Sequence, residues 1–228
     1  MNPSLSKQCV AEFIGTFALI FIGVGAIYHN LGLLAIALAH GLTIAVMVSA
    51  TGAISGGHLN PAVTLGLWVG GKIDTKGLMA YWVAQLAGAS CAAFLLLFLF
   101  TGQLDPSGKS LAATIVANGT PDLPAKGITL VQGIIIEAVL TFFLVFVVYG
   151  TAVDSRAPKI GGLAIGLTVA LDILFGGPFT GGAMNPARTF GPALASGHWN
   201  NQIVYWIGPL LGGALAGLVY GRFLIRQK

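Results

Sequence analysis

The sequence predicts an all-α membrane protein: six transmembrane helices plus two re-entrant half-helices, built as inverted three-helix repeats. Three observations carry this reading. The chain has 228 residues, 56% of them hydrophobic and 8% charged. Soluble domains carry about a quarter charged residues, so this chain lacks the polar side chains to cover a water-facing surface. Its apolar runs come in lengths of about 20 residues, enough to cross a bilayer, with two short exceptions. Its two halves also share one plan. Asn60-Pro61-Ala62 returns 125 residues later as Asn185-Pro186-Ala187. At the same offset Glu12, Gly41-Leu42-Thr43, Gly57 and Thr64 meet Glu137, Gly166-Leu167-Thr168, Gly182 and Thr189. Duplication inside an apolar chain is a mark of membrane proteins assembled from repeats.

Taken in order, the first span lies near 9–28. It carries Glu12, whose pattern recurs at Glu137, so it belongs to the fold and is not a cleavable signal. The second span lies near 33–53. The segment 61–71 is too short to cross; it follows Asn60 and has Pro61 at its start, which suits a capped first helical turn. The third span lies near 79–100. The stretch 101–127 contains Asp105-Pro106-Ser107-Gly108 and Thr120-Pro121-Asp122-Leu123-Pro124 and is expected to be an irregular external loop. Spans near 128–150 and 160–177 follow, then a second half-span at 186–196 headed by Asn185-Pro186, and a last span near 202–223. The chain therefore reads as one domain, 1–228, with repeats of about 1–100 and 128–228. Lys7, Lys72, Lys76, Arg156, Lys159, Arg222, Arg226 and Lys228 fall on one predicted side, and Lys109 and Lys126 on the other. This bias makes the first side cytoplasmic and puts both termini there. Three spans per half force the second half in from the opposite face, so the half-helices meet near the midplane.

That meeting point carries the functional reading. Ser55-Gly56-Gly57-His58-Leu59 and Thr180-Gly181-Gly182-Ala183-Met184 lead into the half-helices, and their glycines permit an extended path with carbonyls turned to a lumen. Gly56, Gly57, His58, Gly181 and Ala183 are the expected lining of these loops. Asn60 and Asn185 cap their helices and offer amide N–H groups to the same lumen. Each helix N-terminus carries about half a unit of positive charge. Two such ends facing each other repel cations and hydrated protons, while small neutral dipoles pass. Arg188 replaces Val63 of the first repeat, and a charge at membrane depth is functional by default. Glu12 and Glu137 are expected to hold the loops by accepting backbone N–H bonds, with proton relay as the alternative. His58 either lines the inner vestibule or satisfies loop backbone. Asp172 is expected at an interface or bonded to a loop, and Cys9 and Cys91 are read as structural. The basic residues form no stripe, so nucleic acid is not a partner. The chain shows no nucleophile–base set and no metal-ligand cluster, so no enzyme activity, cofactor or metal is expected. An ion-coupled transporter would need a coupling carboxylate at the midplane, where both positions are Asn.

Ala11-Glu12-Phe13, the run from Ser55 to Thr64 with Asn60-Pro61-Ala62, and Gly182-Ala183-Met184-Asn185-Pro186-Ala187-Arg188-Thr189-Phe190-Gly191-Pro192 resemble the aquaporin (major intrinsic protein) family over nearly the whole chain. The resemblance implies one pore per subunit, a homotetramer in a lipid bilayer, and passage of water and small neutral solutes. It also implies a selectivity filter at His40, Ile173, Gly182 and Arg188, with Lys109 of the external loop as a further contact. Strict water channels of the family typically carry Phe and His at the first two positions. Glycerol facilitators, the alternative reading, typically carry Asp after the motif Arg, where this chain has Thr189. The filter set is similar to plant tonoplast-intrinsic proteins associated with ammonia and urea. It implies a pore for water and ammonia, with urea and hydrogen peroxide as further candidates. The short first loop and small tails set the chain apart from that branch and suit a microbial plasma membrane.

Overall fold

The computed structural model describes residues 3–28, 31–105, 107–124, 127–158 and 160–225. Its elements are α1 Leu5–Tyr28, α2 Leu33–Ser55, α3 Pro61–Val69, α4 Thr75–Leu99, α5 Leu111–Gly119, α6 Leu130–Val148, α7 Gly161–Thr180, α8 Pro186–Ser196 and α9 Gln202–Ala216. α6 and α9 continue as wider helical turns to Val153 and Leu224. With those extensions six helices among the described residues are long and apolar enough to cross a membrane. At 9 and 11 residues, α3 and α8 rise only about 14 and 17 Å, half of a bilayer's hydrocarbon core.

Local chemistry sets the helix starts. Asn60 and Asn185 accept bonds from Ala62 N and Ala187 N and are followed by Pro at the first turn. Asp74 caps α4 through Gly77 N. Thr129 and Gln132 form a reciprocal capping box on α6, which satisfies two donors the helix leaves open.

The structure corrects two boundaries. The linker is not irregular throughout: Ser110 caps α5, and that helix buries Ala112, Ile115 and Val116 in the core. Its apolar face supplied the reason to fold, and the flanking Pro and Gly residues hid it. α7 runs through Pro178 to Thr180, past the expected end; the proline forgoes one backbone hydrogen bond, and the helix stops soon after, at the left-handed Gly181 cap. Lys126, Lys159, Arg226 and Lys228, used above for orientation, lie outside the described residues.

Close glycine contacts hold the bundle. A Cβ on Gly41 would stand 2.5 Å from the Gly166 carbonyl oxygen, and one on Gly166 would stand 2.3 Å from that of Gly41. These two glycines are repeat partners, so α2 and α7 cross at the duplication's own axis. The same logic joins α1 to α4 at Gly88 and α6 to α9 at Gly212. In lipid, where burial between helices gains little, such backbone approach is a main source of association. Large apolar side chains such as Val46, Val83, Phe98 and Leu171 stay exposed on the outside, where they suit hydrocarbon.

Candidate functional site

The two loops entering α3 and α8 are built alike. Gly56 and Gly57 have φ of 89° and 64°, and Gly181 and Gly182 have 84° and 56°. The next turn places Leu59 and Met184, both non-glycine, at φ 52° and 53°. The path is thus coiled left-handed, where the sequence suggested an extended one. That conformation costs about 1–3 kcal/mol per non-glycine residue and persists only where neighbours impose it.

The neighbour is a buried carboxylate. Glu12 Oε1 accepts from Ser55 Oγ at 2.6 Å and from His58 N at 2.9 Å, and Oε2 accepts from Leu59 N at 2.6 Å. Glu137 does the same for the second loop: Thr180 Oγ1 at 2.7 Å, Ala183 N at 2.9 Å and Met184 N at 2.6 Å. Tyr81 and Tyr205 each donate to the carbonyl of the loop's first residue, Ser55 or Thr180, at 2.8 Å. Gln85 Nε2 also donates to Glu12 Oε2 and to Thr64 Oγ1. Sequence reasoning missed the hydroxyls of Ser55 and Thr180, the two tyrosines and Gln85. The Tyr81-Trp82 and Tyr205-Trp206 match was the available signal for the tyrosines.

The loops are then tied to each other. Asn60 Nδ2 donates to Met184 O at 2.8 Å, and Asn185 Nδ2 donates to Leu59 O at 2.9 Å. One N–H of each amide, expected to face the lumen, is therefore spent across the junction. Both asparagines still line the central cavity.

This cavity gathers His40, Ile173, Gly182 and Arg188 with Gly57, His58, Ala183, Asn60 and Asn185. Pro61, Ala62, Pro186 and Ala187 are buried at the junction behind the lining. Three expected residues do not line it. Gly56 and Gly181 close the last turns of α2 and α7 as left-handed caps. Lys109 is exposed, in a turn that Asp105 draws closed by accepting its backbone N–H. The linker's contact with Arg188 comes from Gly119 instead, whose carbonyl oxygen accepts from Arg188 Nη1 at 2.6 Å. A backbone acceptor carries no side-chain signature, which is why the sequence pointed elsewhere.

His40 Nδ1 donates to the Ile36 carbonyl at 2.9 Å, which leaves Nε2 of the neutral ring as an acceptor. His58 lines the cavity, and its Nδ1 meets Thr64 Oγ1 at 3.2 Å. It also lines a polar basin with Lys72, Asp74 and Lys76 at the terminal end of the bundle, where α1 begins. Asp172 is buried within the bundle. It is 6% exposed, and its Oδ2 has no partner among the described residues. Among the described residues no cluster of metal-ligating side chains appears.

The family model described as Major intrinsic protein matches residues 1–220. The chain belongs to the major intrinsic protein family. It is 47% identical to Aquaporin TIP2-3 of Zea mays, over 99% of this chain and 90% of that protein. It is 46% identical to Aquaporin TIP2-1 of Arabidopsis thaliana, over 94% and 86%. Its fold matches the X-ray structure of the aquaglyceroporin from Plasmodium falciparum with a TM-score of 0.83, 26% identity and 97% coverage of both chains. The protein is thus an integral, multi-pass aquaporin channel for water and small solutes, a passive conductor and not an enzyme. The resemblance to plant tonoplast-intrinsic proteins stands. These relatives are plant proteins, and they lend no support to the expected microbial plasma membrane.

Proposed function

We propose that this aquaporin conducts water and ammonia, with urea and hydrogen peroxide as further permeants, and excludes protons and ions. The reading rests on one observation. Two half-helix N-termini, crosslinked through Asn60 and Asn185, abut inside a cavity whose linker end is walled by His40, Ile173, Gly182 and Arg188. The paired termini supply positive potential where a cation would lose its hydration, and Arg188 adds a full charge. Neutral dipoles meet acceptors and donors in turn and lose little. Ile173 removes a polar wall and a donor from the filter, and Gly182 adds no bulk. The opening is therefore less uniformly polar than a water-only filter, which favours ammonia.

The glycerol-type alternative is weaker despite the Plasmodium neighbour. The residue after Arg188 is Thr189, whose hydroxyl is buried and spent on the Pro186 carbonyl, where glycerol facilitators typically carry Asp. In this reading the chain is one domain with both termini cytoplasmic, Glu12 and Glu137 hold the loops, and four copies assemble.

Stopped-flow light scattering on proteoliposomes tests the reading. Fast, non-saturating water flux is expected, with internal alkalinisation on an ammonia gradient and no proton current under voltage. Proton conduction or saturable, gradient-coupled uptake would refute it.

A further inference from the structure

We infer that Asp122, gripped by His198 and Asn201, is a positioning residue that sets the Arg188 guanidinium in the pore by fixing the backbone whose Gly119 carbonyl receives it. The inference rests on the reading of Arg188 as a filter residue.

The acceptor for Arg188 lies at the last residue of α5, where a short helix hands over to the linker. A carbonyl there aims reliably only if the following backbone is held. The next residues are held at every step. Thr120 Oγ1 meets Ser196 Oγ at 3.3 Å. Pro121 lies over Gly181, so close that a Cβ there would stand 2.9 Å from the ring. Asp122 then takes three bonds: Oδ1 accepts from Leu123 N at 2.8 Å and Asn201 Nδ2 at 2.6 Å, and Oδ2 meets His198 Nε2 at 3.0 Å. His198 N returns to Ser196 Oγ at 3.2 Å, which closes the set.

Two features show that this grip is built and not incidental. Asn201 stands at φ 53° at the head of α9, yet its side chain makes no cap bond to that helix. Its amide goes to Asp122 instead, so a residue suited to capping sits in a left-handed conformation and serves the linker. Second, the Asp122 carboxyl is held below the ordinary carboxylate range. Partial burial works against this, and the bonds from Asn201, His198 and Leu123 outweigh it.

The geometry closes a loop of cause. α8 carries Arg188 in its first turn and leads to His198 beyond its other end. Asp122 joins that far end to the linker, three residues from the carbonyl that Arg188 needs. The guanidinium is a planar fork, so its orientation determines how much of the cavity it fills. Loosened from Gly119, it rotates, and the filter admits larger solutes.

The test measures urea and water permeability of the full-length protein in proteoliposomes and compares their ratio. Asp122→Ala is expected to raise the urea-to-water ratio about threefold, the scale of one lost positioning hydrogen bond. His198→Ala and Asn201→Ala should each raise it by less. In an Arg188→Val background the same Asp122→Ala change should add nothing, because its effect runs through the guanidinium; a general loss of packing would still appear there. The inference fails if folded Asp122→Ala leaves the ratio unchanged, or if its effect persists without Arg188. Should Asp122→Ala not fold, unchanged ratios in both His198→Ala and Asn201→Ala overturn it. An Arg188→Val protein with the wild-type ratio sinks the filter reading instead, and the two failures are distinct.

Discussion

The two ends of the cavity are built from the same repeat positions and finished with opposite chemistry. The lining includes Leu19 with Leu144, His40 with Ile165, Ile44 with Val169, Val48 with Ile173, Gly57 with Gly182, His58 with Ala183, Asn60 with Asn185 and Val63 with Arg188, each pair 125 residues apart. At the linker end the polar members are His40 and Arg188. Their partners at the terminal end, Ile165 and Val63, are apolar, and the imidazole there belongs to His58. The backbone plan is symmetric down to the hydrogen bonds of the loops, so the two ends differ only through a few side chains set on a shared frame. The frame and the filter can therefore be broken separately.

The largest expected effect is on the frame. Glu12→Gln removes the charge that four donors share: Ser55, His58 N, Leu59 N and Gln85. It also turns an NH2 group toward some of them. Stranding one buried donor costs about 1–3 kcal/mol, and several are at risk here. The thermal midpoint in detergent should fall sharply. Glu137→Gln should fall less, because among the described residues Gln85 has no counterpart donating to Glu137. Equal losses would show that Gln85 adds nothing.

On the filter, Arg188→Val copies the Val63 end onto the linker end. Urea permeability relative to water should rise about tenfold, a scale on which one side chain's worth of fit discriminates solutes. The protein should still fold, because Val63 already occupies the matching position; an unchanged ratio would show that the linker end is not the narrow one. Ile173→His restores a polar wall and should lower ammonia flux relative to water by about fivefold, roughly 1 kcal/mol of barrier. An unchanged ratio there would void the filter assignment for α7.

A smaller effect is expected behind the wall. A Cβ on Gly23 would stand 2.4 Å from His40 Nε2, so Gly23→Ala should push the ring into the lumen and cut water permeability about twofold to threefold; the matching position, Val148, already carries a side chain and lines the cavity. The smallest concerns the turns outside the membrane. Asp105 at the linker end is held to about 2 by the Ser107 hydroxyl and then the Lys109 N–H. Asp154 at the terminal end is held to about 2 by Arg156. Both values are depressed, so whatever these turns add is complete above the ordinary carboxylate pKa of about 3.9 and disappears as pH falls through the folded value. Carboxyl-carbon NMR titration should give midpoints near these values at both ends. An ordinary midpoint at one end would mean its turn is open in solution.

Much of this was legible in the chain. Composition and run length gave the six spans, and the repeated Asn-Pro-Ala with its flanking Thr64 and Thr189 located the half-helices to within a residue or two. The shared offset drew attention to Glu12 and Glu137 before any contact was known. What stayed hidden has one physical character. Gly119 acts through a carbonyl, Leu59 and Met184 through a torsion angle and a carbonyl, and α5 folds because a surface is waiting for it. None of these leaves a residue-type signal. Lys109 misled for the complementary reason: its side chain is conspicuous, while its backbone N–H makes the bond that matters to the turn.

The crossed amides have a consequence for biogenesis. Each carboxylate secures the loop of its own repeat, so the bonds that hold each strained turn need no residue of the other half. The bonds from Asn60 to Met184 and from Asn185 to Leu59 exist only after the second half has inserted, and each half contributes one donor and one acceptor. The junction thus works as a reciprocal latch that recognises a complete partner, and two separately translated halves should find each other through it.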